Sequence, residues 1–295
     1  RKRCSLRHLG HLHTHTNFSD GSTDIERLPF LAMRAGLTHL AISDHDSIQA
    51  LEWAQQHPCE QGVSIIPAAE LTCFDTRRGQ RVHLLCYLPN LTQELRSFCE
   101  EMARRRNEAT GKSIEELEKR YPQFTRDAVL EVSKRSGITY KTHSIRVLYE
   151  YGYTDGIYKE LYRELFGKGG SVLHDPAYEP LEEVLEIVHR ACGVAVLAHP
   201  TVYHSMELAK ELGEKGLLDG VEIEHPRNSP EDKKTLHAMA QNYGWIVTGG
   251  SDFHGMHMSK PAPLGSCVTQ DSQIEALLER SCRKKICKNC ESVVK

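Results

Sequence analysis

Short apolar runs alternate with helix-patterned segments along most of this chain, and nearly every run stops at a histidine or a carboxylate. Such alternation is the mark of repeated βα units around a largely parallel sheet. The first strand is expected over residues 8–12. After it, Thr23-Asp24 can cap a helix whose apolar face is Ile25, Leu28, Leu31, Ala32 and Ala35. Residues 38–42 form the second strand, followed by a short helix carrying Ile48, Leu51, Trp53 and Ala54. The third and fourth strands fall at 63–66 and 82–87, with a charged, hairpin-like stretch around 76–79 between them. The rhythm resumes after residue 170, with strands at 193–198, 218–223 and 245–249 separated by helices. About seven parallel strands suit a closed barrel. No glycine-rich dinucleotide fingerprint follows the first strand, so the expected fold is α/β, a distorted (β/α)7-like barrel.

Between residues 91 and 170 the pattern turns charged and helical, which reads as an insertion into the barrel formed by 1–90 and 171–281; residues 282–295 read as a tail. Within the insertion, Arg104-Arg105-Arg106 is interleaved with glutamates and reads as a solvated helix face. The tail carries Cys282, Cys287 and Cys290, three thiols where a structural zinc site takes four ligands, and is expected to be solvated.

Bulk properties exclude several classes. With 39% hydrophobic and 26% charged residues the chain is neither disordered nor membrane-like, and it holds no apolar run long enough to span a bilayer. The basic stretch 1–7 is not followed by a signal-peptide core, so a cytoplasmic location with reduced cysteines is expected. A net charge of −3 without a basic stripe argues against duplex DNA as a partner, while leaving room for a small phosphate pocket.

In a parallel barrel the chemistry gathers where strands end. Here those ends carry His13-Thr14-His15 with Asp20 nearby, Asp44-His45-Asp46, Glu70, His83 within the fourth strand, His199-Pro200, Glu222-Ile223-Glu224-His225, and Ser251-Asp252-Phe253-His254. So many imidazoles and carboxylates on one rim repel or stay unpaired unless divalent cations bind them. Residues i and i+2 of a strand share a face, so His13 with His15, and Asp252 with His254, can each act as a pair; barrel closure brings the last strand beside the first.

The ordered set His13-Thr14-His15-Thr16-Asn17-Phe18-Ser19-Asp20-Gly21, Ser43-Asp44-His45-Asp46, Glu70, His83, His143, Ala198-His199-Pro200 and Ser251-Asp252-Phe253-His254 resembles the motif set of the PHP (polymerase and histidinol phosphatase) family, from about His11 to Gly265. That resemblance implies a metal-dependent phosphoesterase holding two or three divalent ions (Mn, Zn or Fe). It implies one ion on His13, His15, Glu70 and Asp252, a second on Asp20, His45 and His254 with His199 at or beside them, and a third on Glu70, His83 and His143. His199 is the candidate proton donor to the leaving oxygen. The family's acidic residue before the first motif is replaced by His11.

The layout is most similar to members acting on nucleoside 3′,5′-bisphosphates or short RNA, which implies substrate contacts at Lys141 and Arg146; Lys141 stands where arginine is common. Histidinol phosphate phosphatase and a non-catalytic metal-binding module are the alternatives. The partner implied is a small phosphorylated substrate, with no membrane.

Overall fold

Residues 8–293 are described by the computed structural model, with side chains given for 8–287. Eight strands form the barrel wall: β1 (Leu9–His11), β2 (His39–Ile42), β3 (Val63–Asp75), β4 (Gln80–Tyr87), β5 (Val194–Leu197), β6 (Gly220–Glu224), β7 (Ile246–Gly249) and β8 (Thr269–Gln270). Their order around the wall is β8-β1-β2-β3-β4-β5-β6-β7. Two-residue strands at Cys59–Glu60 and Glu179–Pro180 pair with β3 off this path. The ring closes where Leu12 N–H donates to Gly249 O at 2.9 Å and Gly249 N–H donates to Thr269 Oγ1 at 2.8 Å.

The wall is mixed rather than all parallel. β4 runs antiparallel to both β3 and β5, and β8 lies antiparallel to β1. The expected third strand, residues 63–66, is only the first part of a 13-residue strand that pairs with β2 through Pro67 and with β4 from Ala68 onward. Its apolar run is broken in sequence by Glu70, Thr72 and Asp75, yet all three are buried. Polar residues there do not end the strand, because it passes through the site they build.

Inside the barrel, Leu12, Ala41, Ile66, Leu85, Val194 and Val196 pack together with Tyr87, whose hydroxyl donates to Leu12 O at 2.7 Å. A larger core lies between the wall and the helices α2 (Ile48–Gln56), α7 (Leu181–Arg190), α8 (Met206–Glu214) and α9 (Pro230–Tyr243). α9 has matched ends: Ser229 caps it, Pro230 opens it, and Gly244 closes it with φ 64° in the left-handed region.

The stretch between β4 and Glu179 is helical: α3 (Gln93–Arg120), α4 (Arg126–Val132), α5 (Lys141–Glu150) and α6 (Glu160–Phe166). The first half of α3 buries Leu95, Phe98 and Met102 on the barrel, and its second half buries Ile114 and Leu117 in a separate core with Val129, Ile145, Leu148 and Leu165. The helices thus stand on the barrel mouth with an apolar core of their own.

Residues 282–293 are not a loose tail. They continue the helix α10 (Asp271–Val293), which Arg280 and Lys284 tie to the barrel: Arg280 Nη1 is 2.8 Å from Asp219 Oδ1, and Lys284 Nζ donates to Gly193 O at 2.9 Å. Cys282 and Cys287 are free and exposed, and the side chain of Cys290 lies outside the described residues. Among the described residues no helix is long and apolar enough to cross a membrane.

Candidate metal centre

The first and last motifs are laced by backbone: His15 N–H donates to Phe253 O at 2.8 Å and Phe253 N–H to His13 O at 3.3 Å. The second and third meet where His45 bridges to Glu70. Asp44 organises the turn that delivers Asp20, accepting from Thr16 N–H at 2.7 Å, Thr16 Oγ1 at 2.8 Å and Ser19 Oγ at 2.6 Å. Two close approaches require glycine: a Cβ at Gly21 falls 2.5 Å from His15 O, and one at Gly250 falls 2.5 Å from His13 N. Asp46, His199 and Asp252, all at the site, take positive φ without being glycine.

Glu70 is the hub. Its Oε2 lies 3.2 Å from His13 Nε2, 3.1 Å from His15 Nε2 and 3.1 Å from His45 Nδ1, while Oε1 lies 2.7 Å from His83 Nδ1 and 2.8 Å from His199 Nε2. Asp252 Oδ1 is 3.3 Å from His13 Nε2 and 3.0 Å from His15 Nε2. On the other side Asp20 Oδ1 is 3.2 Å from His254 Nε2 and 3.9 Å from His45 Nε2. Three groups of donor atoms result: His13, His15, Glu70 and Asp252; His15, Asp20, His45 and His254; and His45, Glu70 and His83.

These residues fit metal ions on a direct observation. His13 Nε2, both nitrogens of His15, His45 Nδ1, Glu70 Oε2 and Asp252 Oδ1 are buried without a hydrogen-bond partner. They lie near 3 Å from one another but do not point along hydrogen bonds; they converge. Buried orphan lone pairs of this kind are costly, and a divalent cation is what satisfies them.

The electrostatics agree. Burial works against a charged His15, but the carboxylates of Asp252 and Glu70 hold its pKa up to about 10. Burial likewise opposes ionised Glu70, Asp20 and Asp252, yet the surrounding imidazoles keep all three well below the usual carboxylate range. Burial meanwhile pushes His45 and His83 down, favouring the neutral imidazole that a metal ion takes as ligand. Glu222, buried behind the cluster, accepts from His13 Nδ1 at 2.8 Å and from His199 N–H at 2.9 Å, so His13 turns Nε2 inward.

The cluster opens into a cavity of about 240 Å³ whose lining is also cationic, with Arg81, Arg106, Lys141 and Arg227, and aromatic, with Tyr140, Tyr158, Tyr162, Tyr178 and Tyr203. Arg106 departs from the solvated face expected of it. Arg104 and Arg105 do pair with Glu101, but Arg106 turns inward, its Nη2 2.5 Å from Asp46 Oδ2 and 2.8 Å from Thr72 Oγ1, with the guanidinium 5.0 Å over the Tyr140 ring. Arg81 was also missed, although the i,i+2 spacing that puts it on the same strand face as His83 is visible in sequence.

Three expected placements need correction. His143 does not join Glu70 and His83: its Nδ1 accepts from Tyr140 N–H at 3.2 Å as a cap of α5, and its ring sits 6.5 Å from that of His257. His199 is found on the Glu70–His83 side, not beside Asp20 and His254, and with Nε2 against Glu70 it does not offer that nitrogen to a leaving group. Arg146, one helical turn beyond Thr142 on α5, lies outside this cavity; it pairs with Glu150 at 3.0 Å and lines a neighbouring one. Lys141 does line the cavity, its Nζ 2.5 Å from Asp175 Oδ1. His11 is buried in the barrel, where Ser251 N–H reaches its Nε2 at 3.2 Å; burial pushes its pKa down to about 4, which keeps it neutral.

Residues 11–192 match the family model described as the PHP domain. The chain belongs to the PHP family. A protein of Eggerthella lenta named phosphoribosyl 1,2-cyclic phosphate 1,2-diphosphodiesterase is 31% identical over 245 residues, covering 83% of this chain and 93% of the relative. The 5′-3′ exoribonuclease Rnm of Escherichia coli is 27% identical, covering 82% and 84%. Among solved structures, a metal-dependent phosphoesterase of Bifidobacterium adolescentis superposes with a TM-score of 0.83 at 29% identity, covering 92% of this chain and 96% of that one. This PHP protein is a metal-dependent phosphoesterase, a hydrolase whose His, Asp and Glu clusters are able to hold metal ions.

Proposed function

We propose that this PHP enzyme hydrolyses a phosphate ester of a small nucleotide bearing more than one phosphate, a nucleoside 3′,5′-bisphosphate or a short oligonucleotide. The observation carrying this reading is the cationic lining of the cavity into which the metal cluster opens. Asp175 offsets one of the pair Arg81 and Lys141, Asp46 offsets Arg106, and Arg227 remains, so these groups keep a positive balance. A second anionic group on the substrate satisfies it. Histidinol phosphate brings an ammonium group instead, which these groups repel. Both relatives suit the same logic: a phosphoribosyl cyclic phosphate carries two phosphates, and RNA carries one per nucleotide.

We assign His13, His15, Glu70 and Asp252 to one ion, Asp20, His45 and His254 to a second, and Glu70, His83 and His199 to a third, of manganese, zinc or iron, all of which accept such donors. When bound, the ions lower the pKa of a water and neutralise phosphoryl charge. The chain does the rest. Glu222 orients His13, Asp44 fixes the Asp20 turn, and Arg106, anchored by Asp46 and Thr72, presents a prearranged guanidinium to the far phosphate. Free cysteines, Cys59 and Cys282 exposed among them, suit a reducing, cytoplasmic setting.

The deciding experiment measures phosphate release by the manganese-loaded protein from a nucleoside 3′,5′-bisphosphate, a short RNA, a phosphoribosyl cyclic phosphate and histidinol phosphate. Preference for either nucleotide substrate supports the reading. Preference for histidinol phosphate overturns it.

A further inference from the structure

A second cavity, of about 340 Å³, adjoins the first across Tyr158, whose ring lines both. Arg146, Tyr149, Ile157, Met256 and His257 form its other walls. Its chemistry differs from that of the cationic cavity. Arg146 is held by Glu150, and Lys159 is matched by Asp155 on the same rim, so the charges cancel and no phosphate is favoured. Tyr149 and Met256 are 49% and 75% exposed, leaving an aromatic ring and a thioether uncovered at the mouth. His257 donates Nδ1–H to Asp20 O at 2.7 Å, which leaves Nε2 as a buried acceptor with no protein partner.

We propose that this second cavity receives a nucleobase of the nucleotide adjoining the scissile phosphodiester in a short RNA, with Tyr149 and Met256 against the base. Flat, sequence-tolerant contact to aromatic side chains is how single-stranded nucleic acid is held without a charge requirement, and thioethers add polarisable packing. Continuity through Tyr158 lets one chain place its phosphates among Arg81, Arg106 and Arg227 and its next base beyond the tyrosine. This inference rests on the nucleotide-directed reading and narrows it toward oligonucleotides.

The test compares three substrates with the manganese-loaded full chain: a nucleoside 3′,5′-bisphosphate, a 5′-phosphorylated trinucleotide RNA, and the same trinucleotide made abasic at its second residue. For Tyr149→Ala and Met256→Ala, KM for the intact trinucleotide is expected to rise about tenfold, with kcat little changed and both constants unchanged for the bisphosphate. The wild-type protein is expected to bind the abasic trinucleotide about tenfold more weakly than the intact one. Hydrolysis of RNA whose KM ignores both variants and the missing base overturns the subsite and leaves the functional reading standing. Anisotropy of a labelled trinucleotide separates the opposite case: base-dependent binding lost in Tyr149→Ala, without turnover of any nucleotide, supports the subsite and overturns the functional reading.

Discussion

Glu70 Oε1 lies 2.8 Å from His199 Nε2, while the other oxygen of the same carboxylate faces His13, His15 and His45. One side chain therefore joins separate donor sets, and its loss is expected to cost at least one ion. Glu70→Gln should lower bound manganese by at least one equivalent relative to wild type and reduce phosphoesterase activity by roughly 10³-fold or more, since the ions proposed above would draw on its charge and both oxygens. Metal content measured by elemental analysis beside circular dichroism checks this. Full metal occupancy in a folded Glu70→Gln protein contradicts the bridging role.

Glu222 lines neither of the two cavities described, yet it holds His13 Nδ1 at 2.8 Å. Removing such an outer carboxylate commonly weakens a metal site by about 10–100-fold. Glu222→Gln keeps the shape and one acceptor, so a drop in manganese affinity toward the low end of that range is expected, with activity restored at saturating metal. An unchanged binding isotherm means that His13 is oriented by its strand alone.

Much of this was legible because strand ends in a barrel make linear motifs into neighbours: His13-x-His15 and Asp252-x-His254 do meet across the closure. Other features were hidden for identifiable reasons. The length and antiparallel pairing of β3 and β4 escaped because Glu70, Thr72 and Asp75 interrupt the apolar run at the point where the strand crosses the site. Arg106 looks like its exposed neighbours in sequence, and only the pitch of α3 against Asp46 turns it inward. His199 ends an expected strand, whereas His143 lies in the insertion and enters only through the family resemblance; helix capping claims His143, and the strand end of β5 puts His199 on Glu70.

The ions compete with protons here. His15 has its pKa held up to about 10, burial opposing and the carboxylates of Asp252 and Glu70 prevailing, so in the metal-free protein it stays protonated at neutral pH. Metal uptake must displace that proton, and affinity should tighten as pH rises from 6 to about 8. The linkage has the matching sign: a folded value above the ordinary 6.5 stabilises the metal-free fold fully below that value and is lost as pH climbs toward about 10. Melting of the metal-free protein should therefore fall through that window, while the loaded protein stays flatter. Manganese titrations at two pH values and thermal scans of both forms check it; affinity that weakens as pH rises contradicts it.

Arg106 offers the sharpest separation of substrate binding from metal binding. Its Nη2 is committed to Asp46 and Thr72, its Nε is buried without a partner, and it lines the cavity. A planar fork anchored at one end suits a phosphate at the other, a geometry lysine does not reproduce. Arg106→Lys should raise KM for a nucleoside 3′,5′-bisphosphate by about tenfold or more, as expected for a charge-assisted contact. The KM of a simple monophosphate ester, which reaches only the ions, should hardly move, and manganese content should stay at wild-type level. If both substrates suffer equally while metal is retained, Arg106 serves the scissile phosphate rather than a distal one, and the case for a multiply phosphorylated substrate loses its support.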